Sequence, residues 1–515
     1  SNFSPSIGTG TLDNSPLVDI NGDIRPNPEG SNPDMGAFEN SLGERLTGAT
    51  YYVSISGSDT SNGSESSPYS TIQRALSSSW DGDTVIVLPG TYEGDVDFMG
   101  KDVVLVSKIF LTENESYIDS TIILGKVSIS GDVDSTAIFK GFTITGDYSD
   151  RGLKIYTDHD PLIEHIKVVG VGGVEFDDAN ASLYNSIISF NDHSSSGGGV
   201  HISNSEVKLI NVIIDSNSSN SYGGGIYIAG TVNDSSKVIL DSVIVNGNES
   251  SSGGGGIYIN HESEVVILNS EVNFNNSSSG GGIYQYSPLT IRNSRVIGNQ
   301  SSSDGGGIES KARYVGDNLI IRNNISNGSG GGINSSGGSS SVIPDTLLNC
   351  IVSGNTSQSS GGGLSLLDNR SFYIENSLIV NNNTSQNNGT YGGGIYSNIY
   401  NNHDYQPKIV NCTIANNYAF QGGGVYNYGF WIEVINSIVW HNYPIFPSFN
   451  GSYISSNVEG IQSTLNTDPL FVDMFSQDYT LSDYSPSIGS GTLDGAPSTD
   501  LNGNQRPQPD GSNPD

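Results

Sequence analysis

The sequence has few cysteines, few basic residues and no long hydrophobic run. Its 515 residues include two Cys, three Met and three Trp, and 20 Lys and Arg stand against 54 Asp and Glu, a formal net charge of -34. Two cysteines exclude a disulfide framework and a cysteine-based metal site. The negative charge argues against nucleic acid and anionic membranes as partners, because their phosphates would be repelled. No stretch is apolar enough to predict a membrane span or a signal peptide, so we expect any secretion signal to lie outside this segment.

Glycine, asparagine and serine are abundant instead. The chain has 66 Gly, only 34% apolar residues and 14% charged residues. This is too little apolar material for conventional helix packing, yet Ile, Val and Tyr recur in short bursts, which disordered chains do not show. A composition of this kind favours a solenoid, whose length is not limited by the size of one core.

A repeat of 25 to 31 residues runs through the middle of the chain, and each copy begins with a glycine run followed by an aliphatic residue. A seven-residue motif such as "NSIISFN" or "NCIVSGN" then follows. Counting its first residue as zero, position three is always β-branched, as in Ile320, whereas position two varies freely. This alternation predicts a strand with positions one and three pointing inward. The glycine runs precede strands, so we interpret them as tight corners with positive φ and not as phosphate loops.

Position six of the motif is asparagine in every copy. Parallel strands stacked about 4.8 Å apart would bring these amides into a ladder in which each side chain bonds the next. The predicted ladder consists of Asn191, Asn217, Asn248, Asn275, Asn299, Asn323, Asn355, Asn382, Asn417 and Asn442.

These repeats resemble the right-handed parallel β-helix of the pectate-lyase-like superfamily, from about Tyr51 to Asn442. The segment "YYVSISGSDTSNGSESSPYSTIQRAL" resembles the usual entry into such helices in secreted bacterial proteins. Within it, Ser70 and Gln73 form a capping box before a short helix that would cover the first coil. The predicted fold is therefore all-β, a right-handed parallel β-helix solenoid with a short N-terminal capping helix and an irregular C-terminal tail, with roughly thirteen coils at the strand spacing given above.

The two cysteines test the predicted register. Cys350 and Cys412 both occupy position one, two coils apart, with Ser377 between them. Their separation should be about 9.6 Å, which exceeds the roughly 7 Å reach of a disulfide. We expect two free, buried thiols.

The superfamily resemblance implies an enzyme that cleaves acidic polysaccharides as one hypothesis. Hydrolysis needs converging carboxylates, and Asp177 and Asp178 are the best local candidates, although adjacent acids are commonly a solvated turn. Elimination needs a basic residue beside a calcium-binding acidic cluster, and Arg292, Arg295 and Arg322 could line one face without such acids in register. No catalytic residue is therefore assigned, and the sequence leans against an enzyme.

Histidine and tyrosine offer weaker signals. His159, His165, His201 and His261 show neither metal-ligand spacing nor a Ser-His-Asp pattern. Tyrosines on the presumed outer surface could stack on sugars or on a neighbouring subunit, or could simply be good strand residues. They are Tyr222, Tyr227, Tyr258, Tyr284, Tyr391, Tyr396 and Tyr426.

Two further patterns concern modification and calcium. Glycosylation sequons at Asn62, Asn233, Asn388 and Asn450 lie in predicted loops, whereas those that begin at ladder asparagines would have to leave the ladder. The segments "DINGD" and "DLNGN" alternate oxygen ligands as calcium loops do, through Asp19, Asn21, Asp23, Asp500 and Asn502, yet neither shows the closing bidentate acid. An ordinary Asx turn is the alternative, so no cofactor is assigned and calcium stays a hypothesis.

One motif occurs near both ends of the chain. Residues 4–34 and 485–515 align without a gap at an offset of 481, with 21 of 31 residues identical. The motif resembles the closing segment of secreted bacterial β-helix proteins of the choice-of-anchor Q type, whose acidic ending is present here as "DMGAFEN" at 34–40. We predict a tail segment at 1–49, a β-helix at 50–442 and a second tail at 443–515, each tail lying between the last coil of one unit and the cap of the next.

The predicted function is an extracellular structural or adhesive repeat unit of a tandem β-helix surface protein or filament, whose partners are neighbouring copies joined head to tail. A β-helix that binds or cleaves polysaccharide, as a lyase or glycoside hydrolase, is the alternative, with carbohydrate as its partner. Neither reading involves nucleic acid or membrane insertion of this segment, and both place the protein at the cell surface.

Overall fold

The computed structural model describes residues 6–42, 48–146, 150–337, 343–368, 371–385, 387–399, 405–445, 450–509 and 511–514. The chain divides into two compact units, and each is described by itself. Unit 1 contains Ser1–Gly146, Gly152–Lys167 and Ala179–Ser182, and unit 2 contains Asp147–Arg151, Val168–Asp178 and Leu183–Asp515. Of the two predicted tails, residues 1–5, 43–47, 446–449, 510 and 515 lie outside the described residues. The predicted bounds at 49, 442 and 443 stay predictions.

Unit 1 consists of parallel strands in three rows. The first row contains Thr50–Val53, Thr84–Val87, Val104–Ser107, Ile138–Lys140 and Leu162–Glu164. The second contains Gly90–Glu93, Thr121–Leu124 and Thr143–Thr145, and the third contains Val96–Asp97, Val127–Ser130 and Leu153–Tyr156. Alternate residues of these strands are buried, so each row closes one side of a shared core.

The predicted N-terminal helix is present as α1, Ile72–Ser78, and it buries Ile72, Ala75 and Leu76. Its N-cap is Thr71, which accepts from the Arg74 N–H, so the capping-box assignment to Ser70 was wrong. Ser70 and Thr71 both donate their hydroxyls to the Asp59 carboxylate, which moves the helix start by one residue. Two shorter helices follow, α2 at Ile109–Thr112 and α3 at Ser116–Ser120.

Unit 2 repeats a coil of up to four strands, and its strands form four parallel rows. Row A contains Ser236–Asp241, Ser263–Leu268, Leu289–Arg292, Tyr314–Asp317, Asp345–Leu348, Phe372–Glu375, Lys408–Val410, Ile432–Ile435 and Gly451–Ile454. Row B contains Ile244–Asn246, Glu271–Asn273, Arg295–Ile297, Ile320–Arg322, Ile351–Ser353, Leu378–Val380, Thr413–Ala415, Ile438–Trp440 and Asn457–Val458. The strand Glu206–Asp215 pairs with both rows.

Rows C and D complete the coil. Row C contains Asp192–His193, Ser218–Ser219, Glu249–Ser250, Asn276–Ser277, Gln300–Ser301, Ile325–Ser326, Thr356–Ser357 and Asn383–Thr384. Row D contains Val174–Asp177, Val200–Ser203, Ile226–Ala229, Ile257–Ile259, Ile283–Gln285, Ile308–Ser310, Ile333–Ser335, Leu364–Asp368, Ile395–Ile399 and Val425–Asn427. Two further strands, Lys167–Val169 and Asn180–Ser189, contain residues of both units. The predicted all-β parallel β-helix is thus confirmed.

The glycine runs form the corner before row D, as the sequence predicted. In the run that precedes Ile308, Gly305 has a φ of +64°, which side chains rarely adopt. A Cβ atom on the next residue, Gly306, would lie 2.4 Å from the Gly331 carbonyl oxygen. The corner therefore needs glycine both for conformation and for the close approach of successive coils.

Gly451–Ile454 and Asn457–Val458 add a further pair of strands to rows A and B of unit 2. The tail follows. It contains an antiparallel pair, Phe471–Asp473 with Asp478–Leu481, joined by a 3-10 turn at Met474–Ser476.

Candidate functional site

A continuous ladder of asparagine side chains runs through the corner between rows B and C of unit 2. Each amide nitrogen except that of Asn442, the last member, donates to the amide oxygen of the next coil at 2.8 to 3.0 Å, and the same oxygen accepts from a backbone N–H. The second amide hydrogen goes to a row B carbonyl, as from Asn299 to the Val272 oxygen at 2.8 Å. Every polar atom of a buried corner is thereby paired. The members are Asn191, Asn217, Asn248, Asn275, Asn299, Asn324, Asn355, Asn382, Asn417 and Asn442.

One predicted member of this ladder was wrong. Asn324 bonds Asn299 and Asn355, whereas Asn323 is exposed with a φ of +55° and forms the turn before it. Two adjacent asparagines allowed the motif to be read one residue early, from Asp317 instead of Asn318. The same shift makes Ile321, not Ile320, the inward residue, since Ile321 pairs with Val296 and is fully buried.

Cys350 and Cys412 are free and buried, so that prediction is confirmed. Burial raises the pKa of each thiol to about 12. The Cys350 thiol lies 3.0 Å from the Leu348 carbonyl oxygen, and the Cys412 thiol lies 3.2 Å from that of Val410. They pack as small core residues, in place of the serines that other coils carry there.

The two acidic loops use their carboxylates as turn acceptors. In the first, Asp19 accepts from the N–H groups of Asn21, Asp23 and Glu39, at 2.8 to 2.9 Å. These bonds lower the pKa of Asp19, the bond from Glu39 most. In the second loop Asp500 accepts from the N–H groups of Asn502 and Asn504. Among the described residues no group of three His, Cys, Asp or Glu side chains is placed to hold a metal, and calcium binding stays a prediction.

The acidic and basic residues considered above as catalytic candidates do not converge on one site. Asp177 ends a row D strand and accepts from the Ser203 hydroxyl, while Asp178 is exposed at a turn with a φ of +46°. Arg295 lies 3.5 Å from Glu271, and Arg322 donates to the Ser353 hydroxyl at 2.9 Å.

Arg292 and the four histidines named in the sequence analysis are distributed over both units. Arg292 lies beside Asp317 in register on row A. In unit 1, His159 contacts Asp158 and His165 lies 3.2 Å from Glu164. In unit 2, His201 and His261 pack against tyrosine rings.

Sequence reasoning missed a polar cluster at the start of row D in unit 2. The buried Arg151 guanidinium donates to the carbonyl oxygens of Gly172 and Ser196, at 2.6 and 2.8 Å. Burial, and secondly the Arg151 charge, lower the pKa of His193 to about 4 and that of His201 below its usual value. The His193 and His201 imidazoles are therefore neutral at physiological pH. The sequence signal of this cluster was an arginine followed by a single glycine, Gly152.

A stack of aromatic rings lies on the outer face of row D. His201 stacks on Tyr227 with ring centroids 4.9 Å apart, Tyr227 on Tyr258 at 5.6 Å, and Tyr258 on Tyr284 at 5.3 Å. Tyr222 covers Tyr258 from the preceding corner at 4.4 Å. Tyr258 is only 6% exposed, so these rings turn their faces to one another and not to solvent. A second group of rings is formed by Tyr391, Tyr396 and Tyr426.

The row continues past Tyr284 to a buried carboxyl group. Glu309 is fully buried and pairs with the Lys311 ammonium at 2.6 Å. The Asn334 amide donates to both of its oxygens, and the Ser336 hydroxyl donates to one. Burial raises the pKa of Glu309, while Lys311 opposes that effect.

The predicted glycosylation asparagines are exposed in the structure. Asn62 accepts from the Ser64 N–H, and Asn450 donates to the Gly429 carbonyl oxygen at 2.7 Å. Asn233 and Asn388 lie in exposed turns. Their accessibility agrees with their role as acceptors, which stays a prediction.

The tail of unit 2 lies against the outer face of row B. Tyr479 packs on Val380 and Ala415, with Phe471 and Met474 beside it, and its hydroxyl donates to Asn381 at 3.2 Å. Val380 and Ala415 point outward from the coil, yet they are buried because the tail covers them. At this position earlier coils carry Asp215, Asn246, Asn273, Arg322 and Ser353, and one apolar residue, Ile297. Two successive apolar residues, Val380 and Ala415, are the sequence signal that marks the docking surface.

Polar contacts hold the rest of the tail. The Asn436 side chain donates to the Thr492 carbonyl oxygen and accepts from the Thr492 N–H, both at 2.7 Å. Arg506 donates to the Asn376 side chain at 3.1 Å. The tail was expected to lie beyond the last coil, but this segment lies along the flank, because the corner amides and the apolar row B residues offer partners there.

A cleft of about 630 Å³ separates the tail from this flank. Leu378, Thr413 and Ile438 line its floor, and Asp500 and Asn502 of the predicted calcium loop line its wall.

Comparisons with known proteins support the coil architecture. The family described as "Right handed beta helix region" matches residues 198–379, and the family described as "Protein of unknown function (DUF1565)" matches residues 55–97. No curated protein matches the chain. Within the described residues no helix is both long and apolar enough to cross a membrane.

Similar solved structures are distant. Pectate lyase Pel9A is 13% identical, covering 88% of this chain and 94% of its own, with a TM-score of 0.30. The Siphovirus 9NA tailspike receptor binding domain is 10% identical, covering 76% of each chain, with a TM-score of 0.31. PfbA, a surface adhesin of Streptococcus pneumoniae, is 10% identical, covering 73% of this chain and 85% of its own, with a TM-score of 0.28. These values carry no argument about function.

Proposed function

We propose that this chain is a structural and adhesive repeat unit of an extracellular tandem β-helix protein or filament. The observation that carries the proposal is that both copies of the tail motif fold alike. The Gly10 N–H donates to the Pro33 oxygen at 2.7 Å, as that of Gly491 does to Pro514 at 2.8 Å. A motif that recurs in one conformation on both sides of a coil array is the arrangement of a repeating unit.

The coils suit a scaffold role. In unit 2 the asparagine ladder and the stacked rows satisfy each coil through its neighbours, so coils can be added without a new kind of core. The net charge of -34 favours solubility and keeps surfaces apart, which suits an exposed protein at the cell surface. Neighbouring copies of the unit, joined head to tail, are the proposed partners.

The test is labelling of intact source cells with antibodies against this chain, followed by electron microscopy of the labelled material. We expect surface label and an axial repeat that matches one unit. Label confined to the cytosol, or filaments with no such repeat, would refute the proposal.

A second candidate function is binding or cleavage of polysaccharide, and the partly exposed Lys311 beside the row of tyrosines favours it. An ammonium group next to tyrosine rings can bind an acidic sugar, whereas Glu309 is fully buried and cannot contact a polymer. Incubation of the purified chain with a panel of polysaccharides tests this. Release of new chain ends would support cleavage, retention of the chain on a polymer that is lost in Lys311→Ala would support binding, and unchanged polymers without retention would exclude both.

A further inference from the structure

The two copies of the tail motif share one face. In the second copy this face meets the row B flank through Ile488, Gly491, Thr492, Asp500, Leu501, Arg506 and Gln508. The counterparts in the first copy are Ile7, Gly10, Thr11, Asp19, Ile20, Arg25 and Asn27. Five of these seven pairs are identical and the other two are close in shape. Three further residues that line the cleft, Asn502, Asn504 and Gln505, correspond to Asn21, Asp23 and Ile24. The first copy therefore has most of the residues that line or bind the flank.

One position that does not line the cleft has changed in character. Leu17 is 83% exposed in the first copy, and its counterpart Ser498 is polar and exposed in the second. Ile24, which is 72% exposed, corresponds to Gln505, which lines the cleft.

The shared backbone supports the same conclusion. The Arg25 N–H donates to the Leu17 oxygen at 2.9 Å, and the Arg506 N–H donates to the Ser498 oxygen at 2.8 Å. The carboxylates of Asp19 and Asp500 each accept from the two N–H groups of the same turn. The two copies therefore share the backbone geometry of this turn, although the Arg25 side chain binds Glu39 in the first copy and the Arg506 side chain binds Asn376 in the second.

The two copies differ in the solvent exposure of two residues of this face. Thr11 is exposed and Ile20 is 70% exposed, whereas Thr492 and Leu501 are half-buried against the flank. These two positions are thus open to solvent in the first copy, whereas Ile7, Asp19 and Arg25 of the same face are buried, and Arg25 is held in an ion pair with Glu39.

We propose that the first copy binds the row B flank of a second copy of this chain. The Thr11 main chain would pair with Asn436 of that flank, and Ile20 would cover the apolar floor of its cleft. This inference rests on the proposed function, because a tandem array supplies the second flank, and it names the surface by which neighbouring units are joined.

The first experiment replaces residues 485–515 with residues 4–34 in the full chain, 31 residues for 31. We expect the amide at position 492 to keep its slow hydrogen exchange in this variant. Adding Asn436→Gly should abolish that protection, whereas Asn318→Gly, at the same corner of a coil away from the tail, should leave it unchanged. Glycine suits both positions because both have a φ of +50°. Fast exchange at 492 while Asn382 stays protected would overturn the proposal.

The second experiment tests binding between copies. A full chain whose residues 485–515 are replaced by an equally long Gly-Ser segment has an uncovered flank, and it is titrated with the wild-type chain by sedimentation velocity. We expect a one-to-one complex that Asn436→Gly in the uncovered chain weakens at least about tenfold, while Asn318→Gly leaves it intact. A linked neighbour acts at an effective concentration of about millimolar, so a dissociation constant weaker than about millimolar would overturn the proposal.

The two proposals can fail separately. Complex formation together with cytosolic labelling of source cells would refute the extracellular function and leave the docking surface standing. Surface labelling without a complex would do the reverse.

Discussion

Replacing Asn324 with alanine removes a side chain that makes four hydrogen bonds in a buried corner of unit 2. Its amide donates to the Val296 carbonyl at 2.9 Å and to the Asn355 side chain at 3.0 Å. Its oxygen accepts from the N–H and the amide of Asn299, at 2.9 and 3.0 Å. In the variant two buried donors of Asn299 lose their acceptor, and at about 1–3 kcal/mol for each the unfolding free energy should fall by about 2–6 kcal/mol.

The neighbouring Asn323 provides a matched control. It is exposed and has a φ of +55°, so Asn323→Gly keeps the turn, and its effect should stay within about 1 kcal/mol. Urea titration followed by circular dichroism measures both variants, and amide exchange of Asn299 reports the ladder directly. A larger loss for Asn323→Gly than for Asn324→Ala would place Asn323 in the ladder and refute the register described here.

Three further predictions concern other parts of unit 2. Tyr479→Ala removes a large buried ring, so it should speed amide exchange throughout the tail hairpin by the equivalent of about 2–4 kcal/mol. Tyr479→Phe removes only the hydroxyl that donates to Asn381, so it should cost about 1 kcal/mol. Equal effects of the two variants would contradict the packing of this ring against row B. The pKa of Glu309 is raised from 4.5 in the folded chain, so the folded state keeps a proton that the unfolded chain loses. The free energy of unfolding should therefore fall as pH rises from about 4.5 to the pKa of the folded state. Glu309→Gln should remove this pH dependence, and an unchanged dependence in the variant would contradict the prediction. Cys350 and Cys412 are buried and have pKa values of about 12, so both should resist thiol reagents in the native chain at pH 8. Both should react after unfolding. Fast labelling of the native chain would contradict their burial.

The coil architecture was predictable because it is local and periodic. Alternation within each motif assigned the inward residues, the glycine runs marked a corner that side chains cannot enter, and the equivalent positions of Cys350 and Cys412 excluded a disulfide. Each of these deductions needs only the period of two along a strand and the spacing between coils.

The errors arose where neighbours compete for one role. Asn323 and Asn324 both fit the ladder by identity, and only the corner geometry decides between them. Ser70 and Thr71 both fit the helix cap, and Asp59, distant in sequence, binds both hydroxyls and leaves Thr71 as the cap.

The aromatic stack and the tail docking depend on contacts between coils. The tyrosines were assigned to the outer face, but a ring that stacks on the ring of the next coil exposes its edge, and sequence spacing does not show this. The docking surface had a signal in Val380 and Ala415, apolar residues at an outward position, whose meaning became clear only with Tyr479 packed on them.

The central claim is that the tail motif joins successive β-helix units by binding the flank of row B. The most direct measurement is hydrogen exchange on a chain that contains two consecutive 481-residue periods. We predict slow exchange at the internal amide equivalent to Thr492, lost on Asn436→Gly in the preceding unit. Exchange of the internal tail at the rate of an unstructured linker would contradict the account.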